Sequence, residues 1–396
     1  MRRVAAGTGV ISTVAGDGVA GFGGDGGAAT SASIFVPHDV CFDLDGNLLI
    51  AEYGGHRVRR VAAGTGIITT YAGTGIGGFD GDGRAAASAR IAGPVSLVIE
   101  PTGSVLIAEY DGNRVRRVAS GTGVVTTAAG TGVAGFSGDG GAATSASLHG
   151  PQGLAFDQAG NLFIADMQNH RVRLVAVGTG VISSVAGNGE AGLIGDLGPA
   201  TSAQLSSPRG LAFDRGGSLL IVDNGNCRVR RVAASTNVIT TVSGTGCGFG
   251  GDGGAATSAS LDHPQKIALD ASGNVYISDG DNSRVRRVSA LTQPSSTPSA
   301  TPSVTPYCAP SLFRSLPRTD LVGSLVGTAL TPGAPALMAS EAACRQACCD
   351  APGCEGFAFN ADTARFHAAS SCYLYVNVTQ LIPSSGFASG VLESVL

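Results

Sequence analysis

Between residues 151 and 207 the chain alternates short apolar runs with polar, glycine-rich breaks. Residues 153–157 (GLAFD) read as one strand, ended by the turn Gln158-Ala159-Gly160, and 161–166 (NLFIAD) read as a second. Arg171-Val172-Arg173-Leu174-Val175 makes a third, and after a turn at Thr179-Gly180 residues 181–186 (VISSVA) make the fourth. Runs this short, bounded by turn residues, predict antiparallel strands. No segment of the unit has the length or the 3.6-residue apolar period of a helix.

The unit recurs. Arg-Val-Arg-Arg-Val stands at 57–61, 114–118, 228–232 and 284–288, with its Leu variant at 171–175, so successive copies lie 57, 57, 57 and 56 residues apart. A fixed period of this size marks a solenoid or a propeller, and four short strands per period select the propeller. First strands follow Pro37, Pro94, Pro151, Pro208 and Pro264, which gives five blades. The last copy lacks a fourth strand, whereas residues 10–15 supply one ahead of the first complete copy. Pairing 10–15 beside 284–288 would cover both sheet edges. The prediction for 1–288 is therefore an all-β, five-bladed propeller of four-stranded blades, closed by its N-terminal strand. Met1 takes the place of a Val in the repeated motif, so the chain opens in mid-motif, as a sequence cut short of a signal peptide and a further blade would.

Beyond residue 288 the composition changes. Residues 289–307 set Pro294, Pro298, Pro302 and Pro306 among Ser and Thr, a segment that stays extended and reads as an O-glycosylated linker. Residues 308–396 then hold Cys308, Cys344, Cys348, Cys349, Cys354 and Cys372, whereas the propeller holds only Cys41, Cys227 and Cys247. An even number of cysteines packed into a short segment predicts a disulfide framework, hence an oxidising compartment and a secreted protein. Zinc is the rival reading there, but no Cys-x-x-Cys or nearby His pair accompanies the adjacent Cys348 and Cys349. Asn377-Val378-Thr379 is a glycosylation acceptor at Asn377. A net charge of -4 gives no whole-molecule attraction to nucleic acid or anionic lipid. No apolar run reaches the length of about 18 residues that a membrane span needs.

The string 161–166 with Asn169-His170-Arg171-Val172-Arg173 resembles the NHL repeat, and the Thr-Val-Ala-Gly-x-Gly segments, such as 13–18, resemble the extracellular NHL-type propellers of teneurins. The resemblance covers 1–288 and implies a propeller usually of six blades, one more than the repeats give. Some NHL propellers bind RNA. Here each Arg cluster comes with acidic loops, Lys266 is the sole lysine and no stacking aromatics alternate with the arginines, so nucleic acid is not an expected partner. Similar propellers also include an amidating lyase and lactonases, which hold a metal over the channel with His or acidic residues. His38, His149 and His263 flank the strand-opening prolines at offsets +1, -2 and -1, so they are not expected to share the depth a zinc site requires and read as solvated loop residues. No nucleophile elbow, zincin, phosphate-loop or dinucleotide motif is present.

At the C-terminal end Ser340 caps a helix bearing Cys344, followed by the strands 355–359 and 372–375. This arrangement resembles the PAN/Apple module over about 308–392. The resemblance implies the pairs Cys344–Cys372 and Cys348–Cys354, with Cys308 and Cys349 left over, and protein or carbohydrate ligands. Spacing alone leaves every pairing open.

Two polar features recur in each blade, in loops that emerge on one face of the disc. An acid stands five residues before an Arg: Glu52/Arg57, Glu109/Arg114, Asp166/Arg171, Asp223/Arg228 and Asp279/Arg284. A motif identical in every blade reads as a structural ion pair, since a single central site would need residues that differ between blades. An Asp also sits in each Gly-rich turn: Asp25, Asp82, Asp139, Asp196 and Asp252. Such turns are candidate calcium sites, but calcium takes about six to eight oxygens and each turn offers one carboxylate, so bonding to the turn's own backbone is expected instead. No other cofactor is expected. Cys41 reads as a buried small hydrophobe, and Cys227 and Cys247, in loops of the same face, form a disulfide if their Cα atoms lie within about 7 Å.

The sequence thus points to a non-catalytic extracellular recognition or adhesion protein for protein or glycan partners: a propeller (1–288), a linker (289–307) and a terminal binding module (308–396). The alternative is a propeller hydrolase or lyase of lactonase or amidating-lyase type, targeted by that module. Three or more His, Asp or Glu side chains from different blades, clustered in the channel, would mark it.

Overall fold

The computed structural model describes residues 1–5 and 7–289, and the backbone of three short strands beyond them. The chain divides into two compact units, Met1–Thr292 and Gln293–Leu396. In the second unit Ala336–Met338, Ser371–Tyr375 and Gly356–Asn360 form one antiparallel sheet in that order. The linker, Cys308, Cys344, Cys348, Cys349, Cys354 and Asn377 lie outside the described residues, as does the side chain of Cys372.

The first unit is an all-β propeller. A hairpin of β1 (Arg2–Val4) and β2 (Ile11–Thr13) precedes the first blade, β3 (Pro37–Phe42), β4 (Leu48–Glu52), β5 (Arg57–Val61) and β6 (Ile68–Ala72). The second blade is β7 (Pro94–Ile99), β8 (Val105–Glu109), β9 (Arg114–Val118) and β10 (Val125–Ala129), and the third β11 (Pro151–Phe156), β12 (Leu162–Asp166), β13 (Arg171–Val175) and β14 (Ile182–Ala186). The fourth is β15 (Pro208–Phe213), β16 (Leu219–Asp223), β17 (Arg228–Val232) and β18 (Ile239–Ser243). The fifth has three strands, β19 (Pro264–Leu269), β20 (Val275–Asp279) and β21 (Arg284–Val288). Every sheet is antiparallel in sequence order, and each blade's first strand packs against that of the next. The predicted strand boundaries fall within two residues of these.

The second strands of the second, third and fourth blades are buried along their whole length because a neighbouring blade covers each face; Val105–Glu109 is an example. Their apolar runs are therefore continuous rather than alternating. Small side chains let the connecting loops settle between blades. Gly138, at φ +86°, lies against Ala146, and a Cβ there would stand 2.7 Å from the Ala146 Cα.

The N-terminal strand does not close the ring. Strand β2 pairs with β1, Arg2 opposite Thr13 and Val4 opposite Ile11, and leaves β21 without a neighbour beyond it among the described residues. The physical reason is that Arg2-Arg3-Val4 is the end of a third-strand motif, so β2 finds its ladder partner across a short turn at far lower loop-closure entropy. The hairpin docks on the first blade through Met1, Ala15 and Ile34. The flanks lacking a neighbouring blade stay open, with Phe42 66% and Val285 71% exposed.

Candidate ligand site at the channel mouth

The repeated charges form one cage per blade. Arg116, in β9, is fully buried; its Nη1 lies 3.4 Å from Glu109 Oε1 and its Nη2 2.5 Å from Asp82 Oδ1. The other blades repeat this with Arg59 between Glu52 and Asp25, Arg173 between Asp166 and Asp139, Arg230 between Asp223 and Asp196, and Arg286 between Asp279 and Asp252. A buried guanidinium needs such pairing to offset its desolvation.

The ion-pair partner is thus the Arg seven residues after the acid, not the expected one five after. In the ladder Glu52, Glu109, Asp166, Asp223 and Asp279 do stand opposite Arg57, Arg114, Arg171, Arg228 and Arg284. Those arginines turn outward. Arg57 and Arg114 stack on Phe22 and Phe79, 3.6 and 3.7 Å from the ring centroids, and Arg171 and Arg284 lie over Phe136 and Phe249. Arg228, with Leu193 at the corresponding position of its blade, donates to Thr245 O at 2.7 Å.

The Asp residues of the Gly-rich turns likewise differ from expectation. Asp82 spends one oxygen on Arg116 and the other on Thr127 N and Oγ1, at 3.0 and 2.8 Å, rather than on its own turn. Asp25 does the same with Thr70, and Asp139 and Asp196 accept from the backbone of Ser184 and Thr241. Each holds a loop to the blade that follows it. The aromatic clamps escaped the sequence reading, although Phe22, Phe79, Phe136 and Phe249 recur at a fixed place in the Gly-rich turn.

What differs between blades lies on the channel. The residue after each strand-opening proline is His38, Val95, Gln152, Arg209 or Gln265, and the residue after each second-strand acid is Tyr53, Tyr110, Met167, Asn224 or Gly280. These meet at one end of the channel. His38 packs on Tyr53 at 5.2 Å between ring centroids, and Tyr53 meets Tyr110 edge-on at 6.4 Å. The rings lie over Gly93 and Gly150, where a Cβ would come within 2.8 Å of them. Tyr53 Oη donates to Asp111 Oδ1 at 3.3 Å, and Gln168 Nε2 donates to Tyr110 Oη at 3.1 Å. Arg209 bonds Gln265 Oε1 and leaves its buried Nε without a partner. Burial holds the Arg209 guanidinium below its ordinary pKa, against the attraction of Tyr110 and Asp281. Burial, and then the charges of Lys266 and Arg209, likewise lower that of His38, so its imidazole is neutral at neutral pH.

Below the mouth the channel is crossed by an ion pair. Lys266 Nζ, from the fifth blade, lies 3.1 Å from Asp39 Oδ2 of the first and donates to Val95 O at 3.2 Å. The same Asp39 oxygen accepts from Ser96 Oγ and Leu97 N, at 2.9 and 3.0 Å. A cavity of about 360 Å³ surrounds this pair, walled by Leu154, Leu211 and Val285. On its far side Gly153 and Gly210 let the inner strands close up, since a Cβ on Gly153 would fall 2.0 Å from Arg209 O.

With this geometry in view the repeats can be compared with known ones. Two of the five units match the NHL repeat, at residues 205–232 and 261–288. Teneurin-1 of Caenorhabditis elegans is 26% identical over 296 residues, 68% of this chain and 10% of its own length. Protein SUPPRESSOR OF QUENCHING 1, chloroplastic, of Arabidopsis thaliana is 26% identical over 236 residues, 56% of this chain and 22% of its own. NHL repeat-containing protein 2 of Bos taurus is 28% identical over 156 residues, 37% and 22% of the two chains. The chain thus spans under a quarter of the length of these curated relatives. An auxiliary nutrient binding protein of Bacteroides thetaiotaomicron VPI-5482 superposes with a TM-score of 0.51 at 16% identity, covering 72% of this chain and 63% of that one, which shows a shared fold.

His38, His149 and His263 stand in different blades, and among the described residues they share no group of metal-ligating side chains. His38 stands at the mouth with one side of its ring against Tyr53 and the rest open, the His149 backbone donates to Asp166, and His263 sits with Asp262 at the junction of the last two blades. Cys41 is half-buried against the cluster around Leu49, and burial pushes its thiol up to about 12. Cys227 and Cys247 are joined in a disulfide, with Cα atoms 5.1 Å apart. No helix among the described residues is long and apolar enough to cross a membrane.

Proposed function

We propose that the propeller is a non-catalytic recognition module whose ligand, a hydroxyl-rich molecule of carbohydrate type, rests on the channel mouth. The observation that carries this reading is the placement of the blade-specific residues. A repeat that keeps its cage arginines, turn aspartates and prolines varies at the mouth, where a single ligand would meet every blade at once. Tyr53 and Tyr110 offer partly exposed ring faces of the kind that stack on sugars, with Asp111, Gln168, Arg209 and His38 around them to bond hydroxyls. In the fuller reading residues 308–396 are a PAN/Apple-like, disulfide-bonded second binding module on a glycosylated linker, and the protein is secreted.

The full chain on an oligosaccharide array is the test. Binding should be lost in Tyr53→Ala/Tyr110→Ala, while Tyr276→Ala, a tyrosine on the fifth blade away from the mouth, binds as the parent does. Unchanged binding by the double variant, or turnover of a bound sugar, would overturn the reading.

A further inference from the structure

In a chain of near-identical repeats, departures from the pattern are informative where they coincide. At three blade junctions one latch recurs. A residue of left-handed conformation before the third strand, His56, Asn113 or His170, accepts the N–H of the residue before the next blade's proline, Gly93, Gly150 or Ser207, at 3.1, 2.9 and 3.1 Å. At the fourth junction Cys227 occupies the latch position, with φ 54°, and is bonded to Cys247. Cys247, which bridges Leu261 as Ala134 and Ala191 bridge Leu148 and Leu205, takes the place of those small residues, and His263 takes the position held by Gly93, Gly150 and Ser207. Asp262 also differs from Ser206, its counterpart in the adjacent fourth blade, whereas Asp281 stands where the second blade has Asp111.

A disulfide in place of a lost latch accounts for Cys227 and Cys247. It accounts for neither Asp262 nor His263, and these come together with the cysteine pair and with Asp281. Ligand atoms of Cys227, Asp262 and His263 lie within 4.8 Å of one another, and among the described residues no other group of His, Cys, Asp and Glu side chains is so gathered. His263 Nδ1 lies 2.8 Å from Asp262 Oδ1 and 3.0 Å from Asp281 Oδ2. Two sulfurs, one imidazole nitrogen and two carboxylates are a zinc donor set. Bonds of about 2.0–2.3 Å in a tetrahedron put ligand atoms roughly 3.3–3.8 Å apart, a separation that side chains already gathered within 4.8 Å reach once the disulfide is opened.

We propose that the Cys227–Cys247 disulfide is the oxidised form of a zinc site. Reduction by a phosphine, with water supplying the oxygen and the two protons, gives two thiols and one phosphine oxide. Zinc then displaces both thiol protons and takes the two thiolates, His263 and Asp262, with Asp281 turned to the outer side of the imidazole. One junction would thus be closed by a covalent bond under oxidising conditions and by a metal under reducing ones.

The experiment uses the full chain, reduced with a phosphine, freed of metal, and exposed to iodoacetamide with and without zinc chloride. Alkylation is read cysteine by cysteine from peptide masses, which separates this pair from the six cysteines after residue 307. Cys247, the exposed member, is the main reporter and Cys41 the internal control. Zinc should slow alkylation of Cys247 by about tenfold or more, as thiolates held by a metal are withdrawn from reaction. His263→Ala should abolish that protection, and Cys41 should not respond to zinc. Equal rates at Cys247 with and without zinc in the parent chain overturn the proposal, as does full protection in His263→Ala. Should that variant fail to fold, the comparison within the parent chain decides.

Discussion

Arg116 has nowhere to put its charge except on Glu109 and Asp82, and that dependence runs both ways. Replacing it with Leu strands two carboxylates, one of them fully buried, and should cost about 3–5 kcal/mol of unfolding free energy in a urea titration. Arg114→Leu loses only a ring contact and a carbonyl bond near the surface, and should cost far less. Burial pushes the Glu109 carboxyl up from 4.5 to about 7, the attraction of Arg116 acting against it. A folded-state pKa above the unfolded one means that the favourable contribution is fully present below about pH 4.5 and is lost as pH rises through about 7. The stability of the parent relative to Glu109→Gln should therefore fall between those pH values. A difference that instead grows with pH would mean that the ion pair outweighs the desolvation. The acid, the arginines and their fixed spacing were legible in the sequence. Which Arg pairs with the acid was not, because the outcome depends on depth. The one at the rim is satisfied by a ring face and a carbonyl, and the one inside needs two anions.

At the scale of elements, strands were readable because turn residues bracket them and each apolar run is too short for a helix. The latches between blades were not, since they join a side chain to a backbone N–H 37 residues away and use His in two blades and Asn in another, with no apolar pattern to mark them. The blades themselves supply a control for them. Asn113 makes the same bond as His170. Burial lowers the His170 pKa from 6.5, so its contribution is present above that value and is lost as pH falls and the ring is protonated. His170→Asn should keep the acceptor and flatten that acid-side loss, as followed by thermal unfolding at pH 7.5 and 5. His170→Ala should cost about 1 kcal/mol at pH 7.5, the worth of one hydrogen bond. Ring closure by the N-terminal strand was the misreading at this scale. Counting strands predicts which edge lacks a partner, but a partner already available across a short turn takes precedence.

For the whole propeller, the repeat count was legible and the way its ends meet was not. An array in which each unit touches only its neighbours behaves as a chain of nearly independent segments that fray from the ends. Among the described residues the side chain that ignores this order is Lys266, which reaches Asp39, 227 residues away in sequence, and Val95 of the second blade. Lys266→Met would leave the blades intact but unhook last from first. Amide hydrogen exchange should then show β3 and β19 losing protection together, ahead of the second and third blades, whereas the parent opens as one unit. Exchange that is uniform in both proteins would mean that the ends are held by packing alone. A lone lysine thus acts on unfolding as the clasp of a necklace does. It adds little strength to any bead, but it decides whether the string can run out from one end.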